Sequence, residues 1–187
     1  MIFGFELGSD MLPIVLTPQG ARIGIAGKGS AFSGRMNLLN DAGIVPHALF
    51  EDREPESSEL TELHALFVAG LDESASRDIY AKAEAACVLV NVEDDPKLCD
   101  FHVPAQIRRG ELLITVSTGG RSPGLAARVR EALGEIFGVE WENHVGEIAK
   151  SRARWRASGL APNEVAQRTR DMIDDKGWLN GLGQQNR

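Results

Sequence analysis

A chain of 187 residues, 43% hydrophobic and 25% charged, has the make-up of an ordinary globular protein and enough apolar side chains for a real core. The formal net charge of −7 argues against a nucleic-acid surface, and no apolar run reaches the roughly 18 residues that span a bilayer. The opening MIFGFELGSDMLPIVL lacks a basic n-region and a small-residue cleavage site. Cys87 and Cys99 form no disulfide framework and no metal-like spacing, so a cytoplasmic location is the expectation.

In chain order, Arg22 to Ala26 (RIGIA) reads as a short strand running into Gly27-Lys28-Gly29, then a helix with Phe32, Met36 and Leu39 spaced by three and four. Asp41-Ala42-Gly43 supplies a helix stop. Ile44 to Phe50 reads as a second strand, which Pro46 either weakens or places at an edge. The acidic run Glu51 to Glu62 reads as solvated surface. Leu63 to Ala69 is a third strand, Ser76 to Ala86 a helix and Cys87 to Val92 a fourth strand. Strands alternating with helices imply an α/β fold with a parallel sheet covered on both faces, a Rossmann-like domain over residues 1–100.

From Phe101 the pattern changes. A proline-and-arginine connection leads to one strand, Leu112 to Val116, and one long helix, Pro123 to Phe137, so residues 101–137 read as a small α+β segment. Residues 138–187 read as a helical C-terminal region with helices at Trp141 to Ala157 and Asn163 to Lys176, the second N-capped by Asn163. Trp141, Trp155 and Trp178 pack that layer, and the tail GLGQQNR frays.

Gly27-x-Gly29 stands where a nucleotide-binding fold places pyrophosphate, because glycines allow close backbone approach and a helix N-terminus attracts anions. Gly27, Lys28, Gly29, Ser30 and Ala31 are the candidate cradle. Phe32 occupies the third small position of the motif, and on the motif alone a plain strand-to-helix turn is an equal reading. A ribose partner belongs about 20 residues on, after the second strand, where Glu51 and Asp52 stand; spacing does not separate that role from surface charge. Gly70 and Asp72 follow the third strand at the same sheet edge.

The most informative run is Asn91 to Leu133, with carboxylates beyond the fourth strand and then the small-residue turn Ser117-Thr118-Gly119-Gly120-Arg121-Ser122-Pro123 before a helix. Acid–base groups at a strand end and a loop rich in N–H donors suit chemistry on a polyanionic small molecule. Asn91-Val92-x-Asp94, Pro96, Phe101, Pro104, the Ser-Thr-Gly-Gly-x-Ser-Pro turn and the Leu-Ala-x-x-x-Arg helix, with the Leu-Pro-Ile opening, together resemble the precorrin-2 dehydrogenase/sirohydrochlorin ferrochelatase family, the dehydrogenase–chelatase module of siroheme synthase.

The resemblance implies NAD-dependent oxidation of precorrin-2 to sirohydrochlorin, and many members also insert ferrous iron. It places the essential acid–base aspartate on Asp94, and tetrapyrrole contacts on Asn91, Thr118, Gly119, Gly120, Arg121 and Ser122. It implies a homodimer joined through the segment after residue 101, with the tetrapyrrole in a cleft beside the nucleotide domain. Arg108, Arg109 and Arg121 then face either substrate carboxylates or the dimer partner. His47, His64, His102 and His144 share no ligand spacing, so no resident metal is expected. Cys99 reads as a packing residue. The methyltransferase domain of fused siroheme synthases is not in the chain, so another protein is expected to make precorrin-2.

Three departures lie on the cofactor side: a crossover between the glycine turn and Gly70 shorter than in many relatives, Lys28 with Phe32 in the turn, and Gly70-Leu71-Asp72 in place of Ala-Thr-Asp. They leave a second reading open, a chelatase or tetrapyrrole-binding protein without dehydrogenase activity. A third is a nucleotide-sensing regulatory subunit, which gives no reason for the Asn91 to Pro123 motif.

Overall fold

Four short apolar runs form a parallel sheet in the order β2-β1-β3-β4: β1 (Ile23–Gly27), β2 (Ala48–Glu51), β3 (Ala65–Ala69) and β4 (Leu89–Val92). The central strands β1 and β3 are buried along their whole length, as strands covered on both faces must be. The computed structural model describes residues 11–180. The chain divides into two units between Val103 and Pro104.

Each face of the first sheet carries a helix. On one, α1 (Gly29–Asp41) packs Phe32 and Leu39 with Ile23, Ile25 and Phe67. On the other, α3 (Glu73–Ala85) packs Ile79 and Ala83 with Val68, Val90 and Phe50. These are the doubly covered sheet and helix alternation that the sequence implies. Between β2 and β3, where a full crossover helix is usual, stands the single turn α2 (Ser57–Leu60), with Leu60 fully buried. It lies in the acidic run that reads as plain surface. Pro46 sits just upstream of β2, which is an edge strand four residues long rather than the seven of Ile44 to Phe50.

The other edge, β4, is closed by its own chain. Residues 99–101 turn back beside it, with an Asn91–Cys99 bridge, Asp100 N–H donating to Val90 O at 2.8 Å and Val90 N–H donating to Asp100 Oδ2 at 2.8 Å. Tyr80 donates to Asp100 Oδ1 at 3.1 Å. Burial first, and this carboxylate second, raise the Tyr80 phenol above its ordinary range.

In the second unit the structure adds a strand to the one expected. β5 (Ala105–Arg109) pairs antiparallel with β6 (Leu112–Val116) around a two-residue turn, Gly110-Glu111. Gly110 takes φ +55, and a Cβ there would press on the Glu142 side chain at 2.7 Å. Three helices follow: α4 (Pro123–Ile136), α5 (Trp141–Ala157) and α6 (Pro162–Lys176). Asn163 is not the cap of α6. Ala161 holds that place, Pro162 fills the first helical position where its missing N–H costs nothing, and Glu164 accepts the Ala161 N–H at 2.8 Å. Of the three tryptophans expected to pack one layer, Trp141 and Trp178 meet through His144, the imidazole lying parallel to Trp178 with centroids 4.2 Å apart, while Trp155 stands apart beside Arg168 and Met172 of α6. Residues MIFGFELGSD and the tail GLGQQNR lie outside the described residues. Among the described residues no helix is long and apolar enough to cross a membrane.

Candidate active site

A parallel sheet puts the ends of all its strands on one side, and here that side collects Lys28-Gly29 after β1, Glu51-Asp52 at the end of β2, Gly70 to Asp72 after β3 and Asp94 after β4. The chain runs from β1 outward to β2 and then back across to β3, so β1 marks the point where strand order reverses, the usual place for a ligand crevice in open α/β sheets.

The glycines at this edge have different tasks. A Cβ on Gly27, at φ +146, would stand 1.8 Å from Ala69 O, and Lys28 N–H donates to that same oxygen at 3.1 Å. A Cβ on Gly70, at φ +72, would meet Lys28 O at 2.3 Å and Ala31 Cβ at 3.3 Å. Gly27 and Gly70 therefore let the β1 and β3 turns lock together. Gly29 differs: its φ is +67 and no atom of the described residues lies within 4 Å of where its Cβ would be. Open space stands before the N-terminus of α1, whose first turn has no acidic residue and no side-chain cap. Uncapped N–H groups facing open space suit a pyrophosphate. The residues therefore fit a dinucleotide: Gly29, Ser30 and Ala31 for the phosphates, Lys28 as an exposed cation beside them, and Glu51 or Asp52 for ribose. Asp52 is held against the turn by its N–H donating to Gly27 O at 2.9 Å. Asp72 is the N-cap of α3, accepting the Ala75 N–H at 3.0 Å, so its first role is to start that helix.

Phe32, bulky at the motif's third small position, is no obstruction. It is buried in the core of the α1 face, and Ala31 is the small residue that meets the β3 turn.

Asp94 is exposed and stands at φ +60, in the left-handed region that aspartate tolerates better than most residues. Among the described residues no side-chain partner fixes its carboxylate. Asn91 is buried: its Nδ2 donates to Phe101 O at 2.9 Å, and its Oδ1 has no partner among the described residues. Cys99 donates to Val92 O and Asp95 O at 3.1 and 3.2 Å, and burial pushes its thiol up, the behaviour of a packing residue.

In the second unit the small-residue turn is braced internally. Thr118 Oγ1 accepts the Ser122 N–H at 3.1 Å, Ser117 Oγ accepts the Gly119 N–H at 3.2 Å, and Ser122 caps α4 through the Leu125 N–H at 3.3 Å. Gly119 and Gly120 take φ +62 and +75, and nothing lies within 4 Å of a Cβ on Gly120. Arg109 has a local task, donating to Phe137 O at 2.9 Å and Gly134 O at 3.4 Å at the C-terminus of α4, where a cation is favoured. Arg108 remains exposed.

The chain matches two family models in succession: NAD(P)-binding over residues 14–105, and the central part of sirohaem biosynthesis proteins over residues 109–135. The chain is similar to the siroheme synthases. Siroheme synthase of Pseudomonas fluorescens strain SBW25 is 31% identical over 180 residues, 85% of this chain and 38% of that protein. Siroheme synthase of Nitrosococcus oceani is 27% identical over 175 residues, 82% of this chain and 37% of that protein. The chain thus spans less than half the length of these curated relatives. A solved structure titled SirC, precorrin-2 dehydrogenase, shares the fold with a TM-score of 0.73 at 19% identity, covering 92% of this chain and 94% of that one.

The boundary between the two model matches falls beside the division of the chain at Val103. Among the described residues no group of three or more His, Cys, Asp or Glu is placed to hold a metal. His102 is exposed and His144 belongs to the aromatic layer. What sequence reasoning missed is the bracing: Asp100 at the β4 edge, and Ala31 with Gly70 in the interlocked turns. The small size of Ala31, one position ahead of Phe32, was the signal that could have found the second.

Proposed function

We propose that the protein oxidises precorrin-2 to sirohydrochlorin with NAD, in siroheme biosynthesis. The observation that carries this reading is the single sheet edge on which the open Gly29 turn, the β2 carboxylates and Asp94 all stand. Bound NAD supplies the hydride acceptor. The chain's own residues do the rest: Gly29, Ser30 and Ala31 offer N–H groups to the phosphates, Lys28 adds charge, and Glu51 or Asp52 accepts a ribose hydroxyl. Asp94, an exposed carboxylate, takes the proton that leaves the macrocycle as the hydride departs, which balances the two-electron oxidation. Thr118 keeps a hydroxyl proton to donate after accepting the Ser122 N–H, and Gly119, Gly120, Arg121 and Ser122 surround it as the tetrapyrrole loop. Asn91 acts by holding Phe101 beside β4. Ferrous iron enters as a substrate of a second, chelatase step in which Asp94 collects pyrrole protons.

The shortened crossover favours a family member without dehydrogenase activity only if it spoils the nucleotide turn. The turn is open, and that supports the dehydrogenase. A homodimer is part of the proposal: α4 shows Leu125, Val129, Ala132 and Ile136 exposed on one helical face. A cytoplasmic setting completes it.

The test is anaerobic turnover of enzymatically generated precorrin-2, with and without NAD, followed by the absorbance of sirohydrochlorin. NAD-dependent conversion is expected. Asp94→Asn keeps the backbone preference for positive φ and removes the base, so turnover should fall about 100- to 10,000-fold with the fold intact. Full activity in that variant would take Asp94 out of the mechanism, and conversion that ignores NAD would overturn the reading. Gly29→Asp should weaken NAD binding at least about tenfold by filling the turn with negative charge.

A further inference from the structure

The loop after β2 carries an arrangement that the nucleotide reading does not use. Glu51 and Asp52 end the strand beside Gly27, and Arg53 follows them. The Arg53 guanidinium lies over the Phe50 ring, 4.8 Å from its centroid. Its Nη1 and Nη2 donate to the two oxygens of Glu59 at 2.8 and 2.7 Å, a forked pair. Glu59 Oε2 also accepts the Glu56 N–H at 2.8 Å. The cation that reaches this loop from α3, Lys82, is spent in the same way, on Glu54 at 2.9 Å and Pro55 O at 3.4 Å. Glu51 and Asp52, by contrast, have no side-chain partner among the described residues.

The balance of charge at the end of β2 therefore runs one way. A ribose 2′-hydroxyl donates a hydrogen bond to a carboxylate, whereas a 2′-phosphate needs an arginine. The arginine is present, at the right place in the chain, and is held by an acid of its own loop. We propose that Glu59 sets the dinucleotide selectivity of this site: by holding Arg53 it denies a 2′-phosphate its counter-ion and leaves Glu51 and Asp52 to take the 2′-hydroxyl. Glu59 is a positioning residue, acting through Arg53. The inference rests on the nucleotide site proposed above and adds to it which of the two dinucleotides the site accepts. The Arg53 bond chiefly, and the Glu56 N–H after it, hold the Glu59 carboxyl down at about 2, so it is ionised at every working pH.

Calorimetric titration of the full chain with NAD, NADP and 2′,5′-ADP tests this. Glu59→Gln keeps an oxygen for the Glu56 N–H and loses the charge that holds Arg53. It should bind NADP and 2′,5′-ADP about tenfold more tightly than the parent while NAD affinity stays the same. Adding Arg53→Gln should cancel the gain. Glu59→Ala, which removes the carboxylate altogether and keeps Arg53, is an independent variant and should shift selectivity in the same direction. NAD binding with no gain for the 2′-phosphate in either variant, or a gain that survives loss of Arg53, overturns the inference and leaves the nucleotide site standing. Failure of the parent to bind any dinucleotide overturns both.

Discussion

The two units of the chain are stabilised unequally. The first buries two clusters that sandwich the sheet, with Ile25, Leu60, Leu66, Val68, Ile79, Ala83 and Val90 all at 0% exposure. In the second, the hydrophobics classed as buried among the described residues are Ile107, Ala126 and Val165, and Leu125, Val129 and Ile136 face outward from α4. The first unit has elements that close on one another. The second has amphipathic elements with one side left over, as expected of a surface that a second copy of the chain completes.

Substitution in the first core should hurt most. Leu66→Ala is expected to cost about 3 kcal/mol in denaturant unfolding of the first unit, against about 1 kcal/mol for Val165→Ala in the second; equal costs would erase the contrast. Next is Gly70→Ala, which puts a methyl against Lys28 O at φ +72. A loss of about 2 kcal/mol is expected, together with weaker NAD binding, because the two turns can no longer interlock. Leu125→Asp sharpens the other side: sedimentation should show the proposed homodimer giving way to monomer, while the melting of the first unit stays within about 0.5 kcal/mol. A dimer that survives this change would move the contact elsewhere.

The smallest effect is acid sensitivity. The folded Glu59 carboxyl titrates at about 2, below its ordinary value of 4.5. A depressed carboxylate contributes stability that is fully present above the ordinary value and is lost as pH falls from there toward 2. The pair is exposed, so the loss should be slight. A carbon-detected titration should place the Glu59 midpoint near 2, and Arg53→Gln should return it toward the ordinary range.

The same inequality decided what could be read from sequence. In the first unit strands and helices alternate with short turns, and each buried strand is a continuous apolar run, so the sheet was legible from RIGIA, LHALFVA and CVLVNV. The single turn α2 was hidden because Glu59 reads as charge rather than as the partner of Arg53 and the Glu56 N–H. In the second unit Leu112 to Val116 was clear, but its partner strand AQIRR carries one buried residue, Ile107, between polar neighbours. Pairing, not composition, makes it a strand. The start of α6 was misplaced because Pro162 and Asn163 both carry N-terminal signals and only geometry ranks them. At the site, the glycine turn was legible as residue types at a spacing and Asp94 only through the family resemblance, while the bracing by Asp100 and Ala31 depends on contacts across the fold.

The closure of β4 by residues 99–101 bears on how the first unit comes to be made. Its sheet is not complete when the fourth strand has been synthesised, since Val90 and Tyr80 wait for Asp100, and Asn91 for Phe101. A nascent chain or a fragment ending at Asp94 would carry every strand and still present a bare edge to its neighbours, an invitation to aggregate. The folding unit therefore extends past the Asp94 turn, and the first fragment expected to be soluble by itself is one that runs through Phe101.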